Sequence, residues 1–191
     1  ILLGDYMDRG KNSKEVMYFV KELVEAHGAI ALKGNHDCMF YEWLDNPIGQ
    51  RERYFKNGAF ETIKSFLGEI DVDCKEDETY QEWATEILET HEELVEFIKN
   101  LPYFYETDDF IFVHAGIRPG VPLDQQVQDD LVWIRDEFLS SRADHGLTVV
   151  HGHTPVTHPQ VCNNRINIDT GAVFSGQLTC LVLEGTSISF L

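Results

Sequence analysis

The chain opens Ile1-Leu2-Leu3-Gly4-Asp5-Tyr6-Met7-Asp8-Arg9-Gly10 and later repeats the form as Ala29-Ile30-Ala31-Leu32-Lys33-Gly34-Asn35-His36-Asp37. Each stretch is a short apolar run that ends in a polar turn. Between them, Asn12-x-x-Glu15 has the form of a capping box, and Val16, Phe19, Val20, Leu23 and Val24 recur at helical spacing. His27 lies in the last turn and Gly28 follows as a stop. Strand, helix, strand is a β-α-β unit and predicts parallel pairing of residues 1–3 with residues 29–32.

The same form recurs twice further on. Phe110 to Val113 ends in His114-Ala115-Gly116, and Leu147 to Val150 ends in His151-Gly152-His153-Thr154. In open α/β sheets ligands gather outside the carboxyl ends of the strands, so Asp5, Asn35 with His36, His114 and His153 are expected to converge. Any one histidine after a strand is as readily structural as ligating; four such positions together point to a metal site. A carboxylate, an amide oxygen and two imidazoles, with no thiolate, suit manganese, iron, zinc, cobalt or nickel better than calcium.

Between these runs, residues 38–100 read as mostly helical, with Phe60, Ile63, Phe66 and Leu67 on one face and Leu94, Phe97 and Ile98 on another. This region is expected to be a helical insertion or cap. Pro102 ends it, and beyond Pro159 the runs 165–169, 178–183 and 188–191 are expected to be antiparallel strands closing a sheet. With no repeat or linker, residues 1–191 read as a single layered α/β domain.

Composition narrows the function. The chain has 191 residues, 43% of them hydrophobic, enough for a sizeable core. Its 33 acidic residues against 15 basic ones give a formal charge of −18, which argues against a nucleic-acid partner. Much of that charge lies in residues 69–96, where twelve acidic residues stand against one basic residue, Lys75; a solvated helical face is the expected reading. No run approaches the ~20 apolar residues of a membrane span, and no secretory leader is visible. A cytoplasmic protein with no membrane partner is expected. Cys38, Cys74, Cys162 and Cys180 are widely spaced and fit reduced structural thiols.

Taken in order, Gly4-Asp5-Tyr6-Met7-Asp8-Arg9-Gly10, Gly34-Asn35-His36-Asp37, His114-Ala115-Gly116 and Gly152-His153-Thr154 resemble the motifs of the phosphoprotein phosphatase family of the calcineurin-like metallophosphatase superfamily. Trp133-Ile134-Arg135-Asp136 and Ile168-Asp169-Thr170-Gly171 resemble segments of its bacterial and phage-like branch. The resemblance implies a four-layer α-β-β-α sandwich and two divalent transition-metal ions, manganese first, with iron, zinc, cobalt or nickel as alternatives. It makes Asp5 the carboxylate bridging both ions, and Asn35, His114 and His153 the remaining ligands of the second. His36, kept charged by Asp8, becomes the proton donor to the leaving group. Arg9, Asn35 and Arg135 become the phosphate-binding residues, with Arg118 and Arg165 as reserves. His151 is expected beside the site and not in it; His27, His91, His145 and His158 read as surface residues.

The family's further Asp-x-His-Gly motif does not occur in these 191 residues. Because the chain opens inside an apolar run, it reads as beginning within a strand. On that reading the N-terminal strand is missing and only one metal site is complete. Residues 1–191 by themselves are then expected to be nearly inactive.

The motifs imply hydrolysis of a phosphoester by metal-activated hydroxide, with a phosphorylated protein or a small phosphoester as substrate. A serine/threonine phosphoprotein phosphatase is the leading expectation. The alternative is a symmetrical dinucleoside tetraphosphate hydrolase or phosphodiesterase, and a non-catalytic metal-binding pseudoenzyme is the reading from another class.

Overall fold

The first two apolar runs lie side by side, as the β-α-β reading expects. In the computed structural model, which describes residues 1–74, 76–185 and 187–191, Leu2 pairs with Ala31 in a parallel bridge. Leu2 N–H donates to Ile30 O at 2.8 Å, and Leu32 N–H donates to Leu2 O at 2.9 Å. Lys75, the one cation of the acidic stretch, lies outside the described residues. The chain divides into two compact units, Ile1–Pro102 and Tyr103–Leu191.

In the first unit, α1 (Ser13–His27) is the crossover helix. Gly28 ends it in the left-handed region, where its N–H donates to Leu23 O. Two details differ from the sequence reading. Asn12 makes no side-chain cap, because its backbone (φ −114°, ψ 34°) is outside the extended region that aims a cap at the helix amides. The buried face runs Ser13, Met17, Val20, while Val16 and Phe19 are exposed. Val20 and Val24 pack with Leu2, Ala31, Phe97 and Leu101.

The next helices are α2 (Asn35–Asp45), α3 (Pro47–Lys56), α4 (Ala59–Leu67), α5 (Asp77–Thr90) and α6 (Glu92–Lys99). Residues 34–37 are therefore the N-cap and first turn of α2 and not a free turn. Asn46 caps α3 by accepting from Gly49 N–H at 3.0 Å, with Pro47 pre-set at the first helical position. An aromatic core joins the helices: Phe40 stacks on Phe66, Trp43 meets Tyr54, and Phe55 meets Tyr80. The acidic residues Glu82, Glu86 and Glu89 lie on the exposed face of α5, as the solvated-face reading expects.

In the second unit, β1 (Phe104–Glu106) pairs antiparallel with β2 (Phe110–Val113), and β2 pairs parallel with β3 (Thr148–His151). Between β2 and β3 the chain forms α7 (Gln128–Trp133) and α8 (Asp136–Leu139). β4 (Gln160–Val161) and β5 (Arg165–Asn167) complete the sheet in the order β1-β2-β3-β5-β4. The run at 165 pairs antiparallel with β4, as expected, and on its other edge β5 pairs parallel with β3, because the chain first turns back through β4. After α9 (Ala172–Ser175), β6 (Leu181–Glu184) and β7 (Ser187–Phe190) form a separate two-stranded antiparallel sheet. They do not close the five-stranded one. Ile111, Val113, Val149, Leu131, Ile134 and Phe138 form the core under the sheet. The architecture is mixed α/β, as expected.

Candidate metal and phosphate site

In the first unit the two polar turns interlock through their glycines. Gly4 has φ +96°, and a Cβ there would meet Gly34 N at 2.5 Å. A Cβ on Gly34 would land on the Asp5 carboxylate and backbone N. Gly34 itself has φ −100°, which any residue adopts. Gly34→Ala therefore tests the steric fit alone: the fold should persist, and Asp5 should move enough to lower kcat/KM about a hundredfold. A near-wild-type rate would show that the close approach is dispensable.

Asp37 holds this arrangement. Its buried carboxylate accepts from Gly34 N–H at 2.7 Å, Asp5 N–H at 2.9 Å and Tyr6 N–H at 3.2 Å. The Tyr6 hydroxyl bonds Leu32 O at 2.8 Å and accepts from Gly4 N–H at 3.1 Å. Burial, then the nearby Asp37 charge, pushes that hydroxyl well above its usual range, so it remains a donor. Asp5 Oδ1 accepts from His36 N–H at 3.0 Å, which places a carboxylate over the positive N-terminal end of α2.

Asp8 and His36 form a buried pair, with His36 Nδ1 2.6 Å from Asp8 Oδ2. The other carboxylate oxygen accepts from Thr62 Oγ1 at 2.6 Å and Tyr54 OH at 3.0 Å. Asp5 (φ 61°), Asp8 (φ 69°), Arg9 (φ 63°) and His153 (φ 65°) are the non-glycine residues with positive φ among the described residues. Left-handed backbone is costly away from glycine and gathers at functional sites. All four are residues singled out by the motifs.

In the second unit, His114 follows β2 and His153 follows β3. Gly152 N–H donates to His114 O at 2.8 Å, which ties the two turns together. The buried rings meet with His114 Nε2 3.2 Å from His153 Nδ1. Exposed Arg135, between α7 and α8, donates through Nε to His153 Nε2 at 3.0 Å. His153 Nε2 thus faces the guanidinium and His153 Nδ1 faces the other imidazole. The two facing nitrogens are borderline donors of the kind that divalent transition-metal ions take. In the first unit, Asp5 and the buried Asn35 supply oxygen donors of matching chemistry.

His151 stands apart from this pair, as expected. Its Nδ1 donates to Gly152 O at 3.1 Å, its Nε2 faces Arg165 Nη1 at 3.4 Å, and Phe138 meets its ring edge-on. Burial, helped by Arg165 and His114, lowers its pKa to about 4. A histidine with a depressed folded pKa stabilises the fold above its unfolded value and loses that contribution as pH falls. Between pH 6.5 and about 4, His151 should thus cost the fold about 3 kcal/mol. A comparison of thermal melts at pH 7.5 and 4.5 should show a smaller acid-induced drop for His151→Gln; equal drops would remove His151 as the cause.

The reserve arginines are engaged elsewhere. Arg118 makes a bidentate pair with Asp130 at 2.7 Å and also pairs with Glu137; Arg165 is buried against His151. Arg9 is exposed, with its N–H on Gly58 O at 3.1 Å. His27 and His158 are exposed as expected, but His91 and His145 are half-buried, His91 against Tyr18 and Phe66 and His145 against Phe138. Among the described residues the cysteines are free, and burial, with Asp37, pushes the Cys38 thiol up to about 12, which makes it inert. Sequence reasoning gave no role to Asp37, Tyr54 or Thr62; the signal within reach was a hydroxyl, Thr62, on the apolar face of α4.

The family model for calcineurin-like phosphoesterases matches residues 1–176. A protein of Bacillus subtilis (strain 168) named bis(5'-nucleosyl)-tetraphosphatase PrpE, asymmetrical, is 30% identical over 195 residues, covering 94% of this chain and 73% of its own length. The protein of the same name from Anoxybacillus flavithermus is 29% identical over 196 residues, covering 94% and 73%. A solved structure of a candidate diadenosine tetraphosphatase superposes with a TM-score of 0.61 at 21% identity, covering 98% of this chain and 77% of the other, and speaks to the fold. Among the described residues no helix is long and apolar enough to cross a membrane.

Proposed function

The chain belongs to the calcineurin-like phosphoesterase family, and from that premise we propose that it hydrolyses dinucleoside polyphosphates, cleaving diadenosine tetraphosphate asymmetrically. It is a metal-dependent phosphoesterase of that family. The observation that carries the finer reading is the shared name of relatives up to 30% identical over nearly the whole chain. The cleavage they are named for is asymmetrical, where the motifs by themselves suggested a symmetrical hydrolase as the alternative to a phosphoprotein phosphatase.

In this reading residues 1–191 belong to a single metallophosphatase domain. Asp5, Asn35, His114 and His153 would hold a divalent ion, and Asp5 would also serve a second. When bound, the ions activate water and neutralise charge on the phosphoryl oxygens. The chain's own residues do the rest. Arg9 and Arg135 are exposed guanidinium groups whose planar forks match phosphate oxygens. Asn35 offers an amide to the same oxygens. His36, held through Nδ1 by Asp8, presents Nε2 to hand a proton to the departing oxygen.

A substrate panel with Mn²⁺ tests the assignment. Diadenosine tetraphosphate should give ATP and AMP, with kcat/KM at least about a hundredfold above that for a phosphoserine peptide. Two ADP as products, or the reverse ranking, would overturn it.

A further inference from the structure

We propose that Tyr54 and Thr62 are positioning residues for the proton donor His36, acting through Asp8, so that α3 and α4 build the acid of the site as well as covering it. The proposal rests on the phosphoesterase reading and assigns roles to two residues outside the recognised motifs.

The geometry is closed around one carboxylate. Asp8 is 4% exposed, and Tyr54 and Thr62 are fully buried. Oδ2 takes His36 Nδ1 at 2.6 Å; Oδ1 takes Thr62 Oγ1 at 2.6 Å and Tyr54 OH at 3.0 Å. Thr62 Oγ1 also accepts Asp8 N–H at 2.8 Å, so one hydroxyl grips both the backbone and the side chain of the same residue. Ser13 Oγ lies 3.1 Å from that hydroxyl and extends the network to the start of α1.

This grip answers a specific need. Asp8 and Arg9 both hold left-handed backbone (φ 69° and 63°), a conformation that persists only where neighbours over-determine it. Thr62 supplies the bond to Asp8 N–H, and Gly58 O takes Arg9 N–H at 3.1 Å. A Cβ on Gly58 would meet Arg9 Cγ at 2.7 Å. The segment 54–62 therefore sets the backbone that carries Asp8, the rotamer of its carboxylate and, through Oδ2, the ring of His36. Two hydroxyl donors on Oδ1 leave Oδ2 for the imidazole, and a buried carboxylate with all its partners met has one orientation.

The test uses the full-length protein with Mn²⁺ and a series of phosphate esters of rising leaving-group pKa. Tyr54→Phe and Thr62→Val should lower kcat about tenfold, with KM little changed and a loss that grows with leaving-group pKa. In a His36→Asn background they should add almost nothing, since groups acting as a unit are not additive. Thr62→Ser, which keeps the hydroxyl, should restore the rate and stands in if Tyr54→Phe does not fold. Losses equal across leaving groups, or full additivity with His36→Asn, would overturn the proposal. The His36 Nδ1–H resonance should shift in Tyr54→Phe, and an unchanged resonance would also overturn it. If the protein hydrolyses no phosphoester, the functional reading fails, while this resonance still decides whether Tyr54 positions His36.

Discussion

Asp5→Asn is expected to cost at least roughly a hundredfold in Mn²⁺ affinity and on the order of a thousandfold in kcat/KM, with the fold intact. The substitution is nearly isosteric. Asparagine tolerates the left-handed backbone that Asp5 adopts, and its amide oxygen can still accept His36 N–H. What is lost is the negative charge, which the proposed role of Asp5 as a ligand shared by two cations requires. Asp5 N–H is held by Asp37 and not by its own side chain, so the loop has no reason to move. Calorimetric titration with Mn²⁺ alongside steady-state kinetics checks both effects. Unchanged affinity with lost turnover would move Asp5 from metal binding to another role.

His36→Asn is expected to lower kcat about a hundredfold or more for an alkyl phosphate and far less for nitrophenyl phosphate. A nitrophenolate leaves without a proton, whereas an alkoxide needs one as the bond breaks. The imidazole is buried and bonded to Asp8, so its loss removes a held acid and not a mobile surface group. Asparagine has no group that titrates in this range and cannot substitute. Rates across a leaving-group series decide the matter, and equal losses on both esters would take the acid role away from His36.

The candidate site was legible in the sequence where one simple pattern repeated: an apolar run, then glycine and polar residues. Asp5, Asn35, His114 and His153 all follow that pattern, and the same stretches lie at the ends of paired or bridged runs. Short-range signals were weaker. Asn12 has the residue type of a cap, but its backbone dihedrals decide whether a cap forms. Hydrophobicity marks Val16 and Phe19 as a candidate face of α1, but packing selects Ser13, Met17 and Val20 as its buried residues. The direction of β5 depended on β4, two residues too short to announce themselves as a strand. Asp37, Tyr54 and Thr62 stayed hidden for a different reason. Their contacts are made across the fold, as when Thr62 meets Asp8 fifty-four positions away, and sequence spacing carries no trace of them.

Metal dependence is what the proposed activity requires most directly. The protein stripped with a chelator and assayed on diadenosine tetraphosphate should be silent, and added Mn²⁺ should restore release of ATP and AMP in wild type but not in Asp5→Asn. Full turnover by the stripped protein would contradict it.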